Sequence, residues 1–273
     1  MRICSWNVRR ATANSIAWEL LAEIAPDLVL LQEVTSLPAW VREKYEVAMT
    51  PAMGKSRMQK FHTAIAVRGH VEAAIGLSSK WDWVNLEIER FRGNIVAYRV
   101  SYEGESYRVI SVYSPAWPVD RERLRDVDVS EVKLDHNPDV WLTEILWASL
   151  LNSQDDPDSS PWIVGGDLNA SETFDAWRKE GRGNKQLLDR MSELGLVEVL
   201  RYSQGALVPT FKNTTGGAIR HQMDHLFVSE SLAGRLVGCM VGEHDRVFGK
   251  SLSDHLPIVA DFGERPLERS AGN

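Results

Sequence analysis

The chain has 273 residues, 44% of them hydrophobic, enough to bury a sizeable core as one large domain or two small ones. A formal net charge of -7 excludes an overall basic field that would draw in nucleic acid without sequence preference. Two cysteines, Cys4 and Cys239, each inside an apolar stretch, exclude a disulfide-dense scaffold and point to buried reduced thiols. No uncharged apolar run approaches the roughly 18 residues of a membrane span, and no basic-then-apolar leader opens the sequence. The expectation is a cytoplasmic protein with no transmembrane segment; oligomeric state is not legible.

In chain order, Ile3 to Trp6 reads as a strand and Ser15 to Ala25 as a helix, capped by Asn14, with Ile16, Leu20, Leu21 and Ile24 on one face. Pro26 stops it, and Asp27 to Leu31 is an apolar run bounded by polar groups, as in a buried central strand. Further strands are expected at Thr63–Val67, Ile95–Val100, Tyr107–Tyr113, Trp162–Val164, Met223–Val228, Leu236–Val241 and Ile258–Phe262. Helices are expected at Val140–Leu151 and Lys185–Leu194. The polar stretch 152–160 reads as a surface connection, so one domain over 1–263 with a flexible tail at 264–273 is expected.

Short polar motifs stand where the apolar runs end: Ser5-Trp6-Asn7, Leu31-Gln32-Glu33, Ser111-Val112-Tyr113, Gly165-Gly166-Asp167-Leu168-Asn169, Gln222-Met223-Asp224-His225 and Ser253-Asp254-His255. Together they hold what metal-assisted phosphoester hydrolysis needs: carboxylates for a hard cation, neutral donors for phosphate oxygens, and an Asp/His pair for protons. Glu33, emerging from a buried strand, is the first candidate ligand for Mg2+, with Mn2+ as a substitute. The glycines let backbones approach closely, and the i, i+2 spacing sets Asp167 and Asn169 on one side of an extended segment. Asp167 is then expected to handle the proton of water or leaving group, and Asn169 to donate to phosphate. For any one of these motifs alone, an ordinary turn or a solvated strand end is the competing reading. His225, adjacent to Asp224, is expected to face the opposite way on a strand and is left out of the site. His62 and His221 read as surface residues near its border.

The set, in this order and from Ile3 to Phe262, resembles the endonuclease/exonuclease/phosphatase superfamily. The resemblance implies a four-layer α/β/β/α sandwich, two packed mixed β-sheets flanked by helices, with the site at one end. It also implies that Asn7 orients metal and phosphate, and that His255 faces the phosphate while Asp224 accepts a hydrogen bond from its other ring nitrogen. Whether His255 is a base or a cationic clamp stays open. Asp254 is expected to complete the metal shell, directly or through water, and Tyr113 to donate its phenol to the scissile phosphate.

There are departures. Many AP endonucleases carry Asp where this chain has Arg9, which is closer to deoxyribonuclease I; Arg9 either touches a substrate phosphate or lies in solvent. After Tyr113, Ser114-Pro115-Ala116-Trp117 lacks both the amide of AP endonucleases, at Ala116, and the second catalytic His of other members. Arg9, Arg10, Lys55, Arg57, Lys60 and Arg68 are either a local basic rim or scattered surface charge. The charged segment 120–138 is either a substrate-facing flap or a solvated loop. Trp40, Trp81, Trp83 and Trp117 are base-stacking candidates that the core can equally absorb. The preferred reading is a nuclease acting on nucleic-acid phosphodiesters. A phosphatase or phosphodiesterase for a phosphoinositide, a phospholipid headgroup or another small phosphoester is the alternative, and a non-catalytic binding protein the third.

Overall fold

Period-two alternation of inward and outward side chains organises the whole structure, a computed structural model that describes residues 1–153, 158–177, 183–213 and 215–263. The tail expected at 264–273 lies outside the described residues. In chain order the elements are β1 (Arg2–Ala11), α1 (Ala17–Ile24), β2 (Leu28–Val34), α2 (Ala39–Lys44), β3 (Glu46–Met53), β4 (Met58–Val67), β5 (His70–Ala74), α3 (Asp82–Arg90), β6 (Ile95–Tyr102) and β7 (Glu105–Tyr113). A single 3-10 turn (Arg121–Leu124) precedes α4 (Leu142–Asn152), β8 (Trp162–Asp167), α5 (Glu172–Trp177), α6 (Asn184–Glu193), β9 (Leu196–Glu198) and α7 (Val199–Gln204). The chain continues with β10 (Phe211–Lys212), β11 (Ile219–His221), β12 (Asp224–Ser229), α8 (Glu230–Ala233), β13 (Leu236–Val241), α9 (His244–Val247) and β14 (Ile258–Phe262).

Two six-stranded mixed sheets result, ordered β13-β14-β1-β2-β4-β3 and β5-β6-β7-β8-β12-β9. Each has one parallel pair at its centre, β1 with β2 and β7 with β8, and antiparallel neighbours outside it. The sheets face each other through Ile3, Leu28, Leu30, Ile65, Val109, Ile163, Leu226 and Ile258. The alternate residues face outward. Cys4, Val29 and Leu31 pack under α1 with Trp18 and Leu21, while Ile110, Val164 and Phe227 pack under α4 and α6 with Ile145, Leu187 and Met191. This is the expected four-layer α/β/β/α sandwich.

Element boundaries differ from expectation for local reasons. Helix α1 starts at Ala17 because Ser15 closes a turn on Thr12, accepting the Thr12 N–H at Oγ (2.9 Å), so Asn14 caps nothing. The first strand runs on past Trp6 to Ala11 through a bulge. Strand β3 has no counterpart among the expected strands because Pro51 interrupts its pattern; as the edge strand of its sheet, it tolerates a residue with no N–H to donate. Segment 120–138 is largely exposed but tied to the body at a few points. Its own Val132 and Leu134 are buried, and the Arg123 guanidinium holds buried Glu87 through two 2.8 Å bonds.

The parallel pair β7/β8 comes together at Gly166, whose φ is +142° and where a Cβ would stand 2.0 Å from the Val112 carbonyl oxygen. Gly166→Ala is expected to cost at least about 2 kcal/mol, lowering Tm by about 4–8 °C. Gly238→Ala, where a Cβ meets nothing within 4 Å, is expected to change Tm by less than about 2 °C. Equal thermal unfolding of the two variants would show that the close approach is not constraining.

Candidate active site

The same alternation places the polar strand ends. On β1 the inward residues are Ile3, Ser5 and Asn7; on β7, Val109, Ser111 and Tyr113; on β8, Ile163, Gly165 and Asp167; on β12, Asp224, Leu226 and Val228. At the edge where apolar residues give out, Asn7, Tyr113, Asp167 and Asp224 therefore enter the same inter-sheet space. One step below, buried Gln32 of β2 donates to Ser111 of the opposite sheet (3.0 Å).

Glu33 belongs by alternation to the outward face. The register shift after Leu31 re-aims it, with φ at +57°. Its Oε1 lies 3.3 Å from the Asn7 amide nitrogen, which also donates to Asp167 Oδ2 at 3.0 Å. Asn7 Oδ1 accepts the Arg9 N–H, so the amide orientation is fixed from both sides. Asp167 Oδ1 accepts the backbone N–H of Asn169, whose side-chain nitrogen donates to the Ser114 carbonyl. Arg9, Arg10, Glu33 and Asn169 all have positive φ, four of the seven such non-glycine residues described. That concentration of sparsely populated backbone, costing about 1–3 kcal/mol each, is typical of functional sites.

From the loop before β14 comes the imidazole. His255 Nδ1 donates to Asp224 Oδ2 at 2.8 Å, and its Nε2 faces Asp167 Oδ2 at 3.8 Å. Two hydroxyls fix this pair, one from Thr210, which none of the motifs contains, and one from Ser253, which opens the Ser253-Asp254-His255 motif. Thr210 donates to Asp224 Oδ2 at 2.6 Å while accepting the N–H groups of Met223 and Asp224. Ser253 donates to the Asn7 carbonyl at 2.7 Å and accepts the His255 N–H. Thr210 carries no local signal, because only the tertiary fold sets it beside Asp224.

The other expected residues border this network. Tyr113 packs edge-on against Phe61 (5.1 Å between centroids). Asp254 lies 3.6 Å from the exposed Arg9 guanidinium, and Arg10, the next of the candidate rim cations, lies 3.5 Å from Glu33 and over Phe61. His225 faces away, its Nε2 on the Ala170 carbonyl, as expected. His62 contacts the Val34 carbonyl and His221 the Thr173 hydroxyl; neither joins the network. Arg68 is not part of any rim here: it follows the end of β4 that pairs with the start of β2, at the far edge of the sheet, and is paired with Asp27.

The electrostatics are unbalanced toward negative charge. Burial raises the pKa of Glu33 and of Asp167, with Asp224 pushing Asp167 up further and His255 opposing. Burial alone would lower the His255 imidazole, but Asp224 and Asp167 outweigh it and hold it raised, as an imidazolium. Tyr113 is raised by burial and by Glu33 and Asp167, so its phenol stays a neutral donor. One buried cation thus faces several carboxylates. A divalent ion fits this excess and this predominantly oxygen donor set. Among the described residues, Asp167, Asp224 and His255 form the cluster whose ligand atoms lie within 4.8 Å of one another, with Glu33 tied to it through Asn7.

Comparison with known proteins agrees with the geometry. No curated protein matches the chain in sequence. Among solved structures, the chain is similar to an AP endonuclease from Archaeoglobus fulgidus (22% identity, TM-score 0.68, covering 97% of this chain and 100% of that one). It is also similar to the 3' phosphatase NExo from Neisseria, bound to product DNA hairpin (18%, 0.66, 97% and 100%). A third likeness is to the catalytic domain of Xenopus laevis APE2 (19%, 0.65, 96% and 91%). At these identities the likeness establishes the fold. The Endonuclease/Exonuclease/phosphatase family model matches residues 4–255, spanning all six strand-end motifs. The chain belongs to the endonuclease/exonuclease/phosphatase family and is a metal-dependent phosphoesterase.

Proposed function

We propose that this chain is a Mg2+-dependent nuclease that hydrolyses nucleic-acid phosphodiester bonds by water attack. The observation that carries the reading is the single buried network in which Asn7 bridges Glu33 and Asp167 while His255, held by Asp224, faces Asp167 from the other side. The nucleic-acid substrate is supported by structural neighbours described as an AP endonuclease and as a phosphatase bound to DNA. Two exposed cations at and beside the β3–β4 hairpin tip, Arg57 and Lys60, add a local basic rim on the same edge as Glu33.

Glu33, with Asn7 and Asp254, holds the cation in this reading. His255 is poor as a ligand because Nδ1 is committed to Asp224, and an imidazolium has no lone pair to give. When bound, Mg2+ (or Mn2+ in its place) neutralises phosphate charge and acidifies water. Asp167, with its raised pKa and its carboxylate fixed by Asn7 and Asn169, takes the proton of the attacking water. His255 acts as a cationic clamp on a phosphate oxygen, with Asp224 setting its orientation. Asn169 and Tyr113 donate to the remaining oxygens, and Arg9 contacts a neighbouring phosphate. The same reading takes residues 1–263 as one domain, supported by the core the two sheets share. It takes the location as cytoplasmic, supported by the two buried free thiols; burial pushes Cys4 up to about 12.

The deciding experiment is hydrolysis, with Mg2+ or Mn2+ against EDTA, of an abasic-site duplex, single-stranded DNA, RNA, a phosphoinositide and bis-p-nitrophenyl phosphate, with Asp167→Asn as blank. Metal-dependent cleavage of a nucleic acid is expected; turnover confined to the lipid or small esters, a reading favoured by the net charge of -7, would replace the nuclease with a phosphatase.

Asp167→Asn and His255→Ala are each expected to lower turnover by about 100-fold or more with an unchanged circular dichroism spectrum. Wild-type turnover in either would remove that residue from the mechanism. Glu33→Gln is expected to shift the Mg2+ activation curve to at least about 10-fold higher concentration; an unshifted curve would exclude Glu33 as a ligand.

Linkage gives a further expectation for the protein in EDTA. Glu33, Asp167 and His255 all have raised pKa values, so each binds its proton more tightly when folded. Each contribution is full below the unfolded value, about 4.3, 3.9 and 6.5, and is lost as pH rises through the folded value. Tm in EDTA should therefore fall as pH rises from about 5 to 9, less steeply in Asp167→Asn. Parallel curves for the two proteins would contradict the raised Asp167.

A further inference from the structure

A cleft of about 420 Å3 opens between the β3–β4 hairpin tip, the C-terminal end of α3 and the segment that follows β7. It is continuous along the chain with the catalytic network: Tyr113 ends β7, and Trp117 stands in the cleft wall four residues later. Asn94 locks the two together. Its amide oxygen accepts the Met53 N–H at 2.7 Å, and its amide nitrogen donates to the Tyr113 carbonyl at 3.1 Å, fixing the hairpin to the strand end.

The charges in this cleft do not cancel. Arg121 is paired with Asp139, Arg123 with Glu87 and Asp120, and Glu122 with Arg125. Lys55 and Arg90 remain, and neither has a carboxylate partner among the described residues, although the chain as a whole is acidic. The indole is also uncommitted. Trp81 packs on Trp147, Trp83 joins the helix layer and Trp40 is covered by Lys44, whereas Trp117 has no ring or hydrogen-bond partner among the described residues. A free aromatic face beside two unpaired cations is the chemistry that holds a base and its phosphate.

We infer that this cleft is a nucleotide subsite flanking the scissile phosphate, with the base against Trp117 and the phosphate against Lys55 and Arg90. The inference rests on the nuclease reading and adds where the strand runs: from the network past Tyr113 toward α3. None of the three residues touches the reacting phosphate, so they act on strand binding and leave the chemistry of a substrate without flanking nucleotides unchanged.

The test uses two substrates and three variants: Trp117→Ala, Trp117→Phe and the double variant Lys55→Ala/Arg90→Ala. Affinity for a fluorescent single-stranded oligonucleotide is measured in the Asp167→Asn background, and turnover of bis-p-nitrophenyl phosphate in the active background. Trp117→Ala is expected to weaken oligonucleotide binding by about 10-fold, with Trp117→Phe restoring most of it. The double variant should lower the salt slope of binding by about 1 to 2. Small-ester turnover should stay within about 2-fold of wild type. Unchanged oligonucleotide affinity and salt slope would overturn the subsite, as would an equal fall on both substrates. An active wild type that neither binds nor cuts any nucleic acid would instead overturn the nuclease reading beneath it.

Discussion

Two sheets packed face to face impose one rule on every strand: the side chain that alternation turns inward stays inward to the last residue. Along most of each strand that rule buries Ile, Leu and Val. At the edge where β1, β7 and β8 end and β12 begins, it delivers Asn7, Tyr113, Asp167 and Asp224 into one space. The site is thus the polar termination of the hydrophobic core. It inherits the core's rigidity, because Asn7, Tyr113, Asp167 and Asp224 are each anchored on a strand whose adjoining residues are packed.

The same placement creates an electrostatic cost that the rest of the site offsets. Burial, reinforced by neighbouring carboxylates, raises the pKa of Glu33 and Asp167, and His255 is the buried cation that faces Asp167. Neutral donors from Asn7, Thr210 and the Asn169 backbone hold the oxygens without cancelling the charge. Arg9 and Arg10, forced into left-handed backbone by the β1 bulge, approach Asp254 and Glu33 only from the exposed rim. An arrangement of this kind is stabilised by binding a dication and by binding a phosphate, in different places, and that is the property a phosphoesterase needs.

What was legible in the sequence follows the same rule. A run such as Leu28-Val-Leu-Leu31 ending in Gln32-Glu33, or Trp162-Ile-Val164 ending in Gly-Gly-Asp, shows both the buried strand and the polar group at its end. Opposed faces for Asp224 and His225 follow from period two alone, and the structure has them so. What was hidden depends on contacts between distant segments. Thr210 and Ser253 matter only because the fold sets them under Asp224 and beside Asn7. Arg10 faces Glu33 because of a bulge that no local pattern announces. Strand β3 is disguised by Pro51, and segment 120–138 by its charges, although Val132 and Leu134 anchor it in the core.

The central claim is that buried carboxylates with raised pKa values, Asp167 above all and Glu33 beside it, are held ready for a divalent cation. If so, the cation must expel a proton as it enters. The direct measurement is calorimetric titration of Mn2+ into the protein at pH 6 in buffers of different ionisation enthalpy. The expected result is saturable binding with a buffer-dependent heat that corresponds to a fraction of a proton up to about one proton released, and that shrinks in Asp167→Asn. Saturable binding with no proton release, or no binding at all, would contradict it.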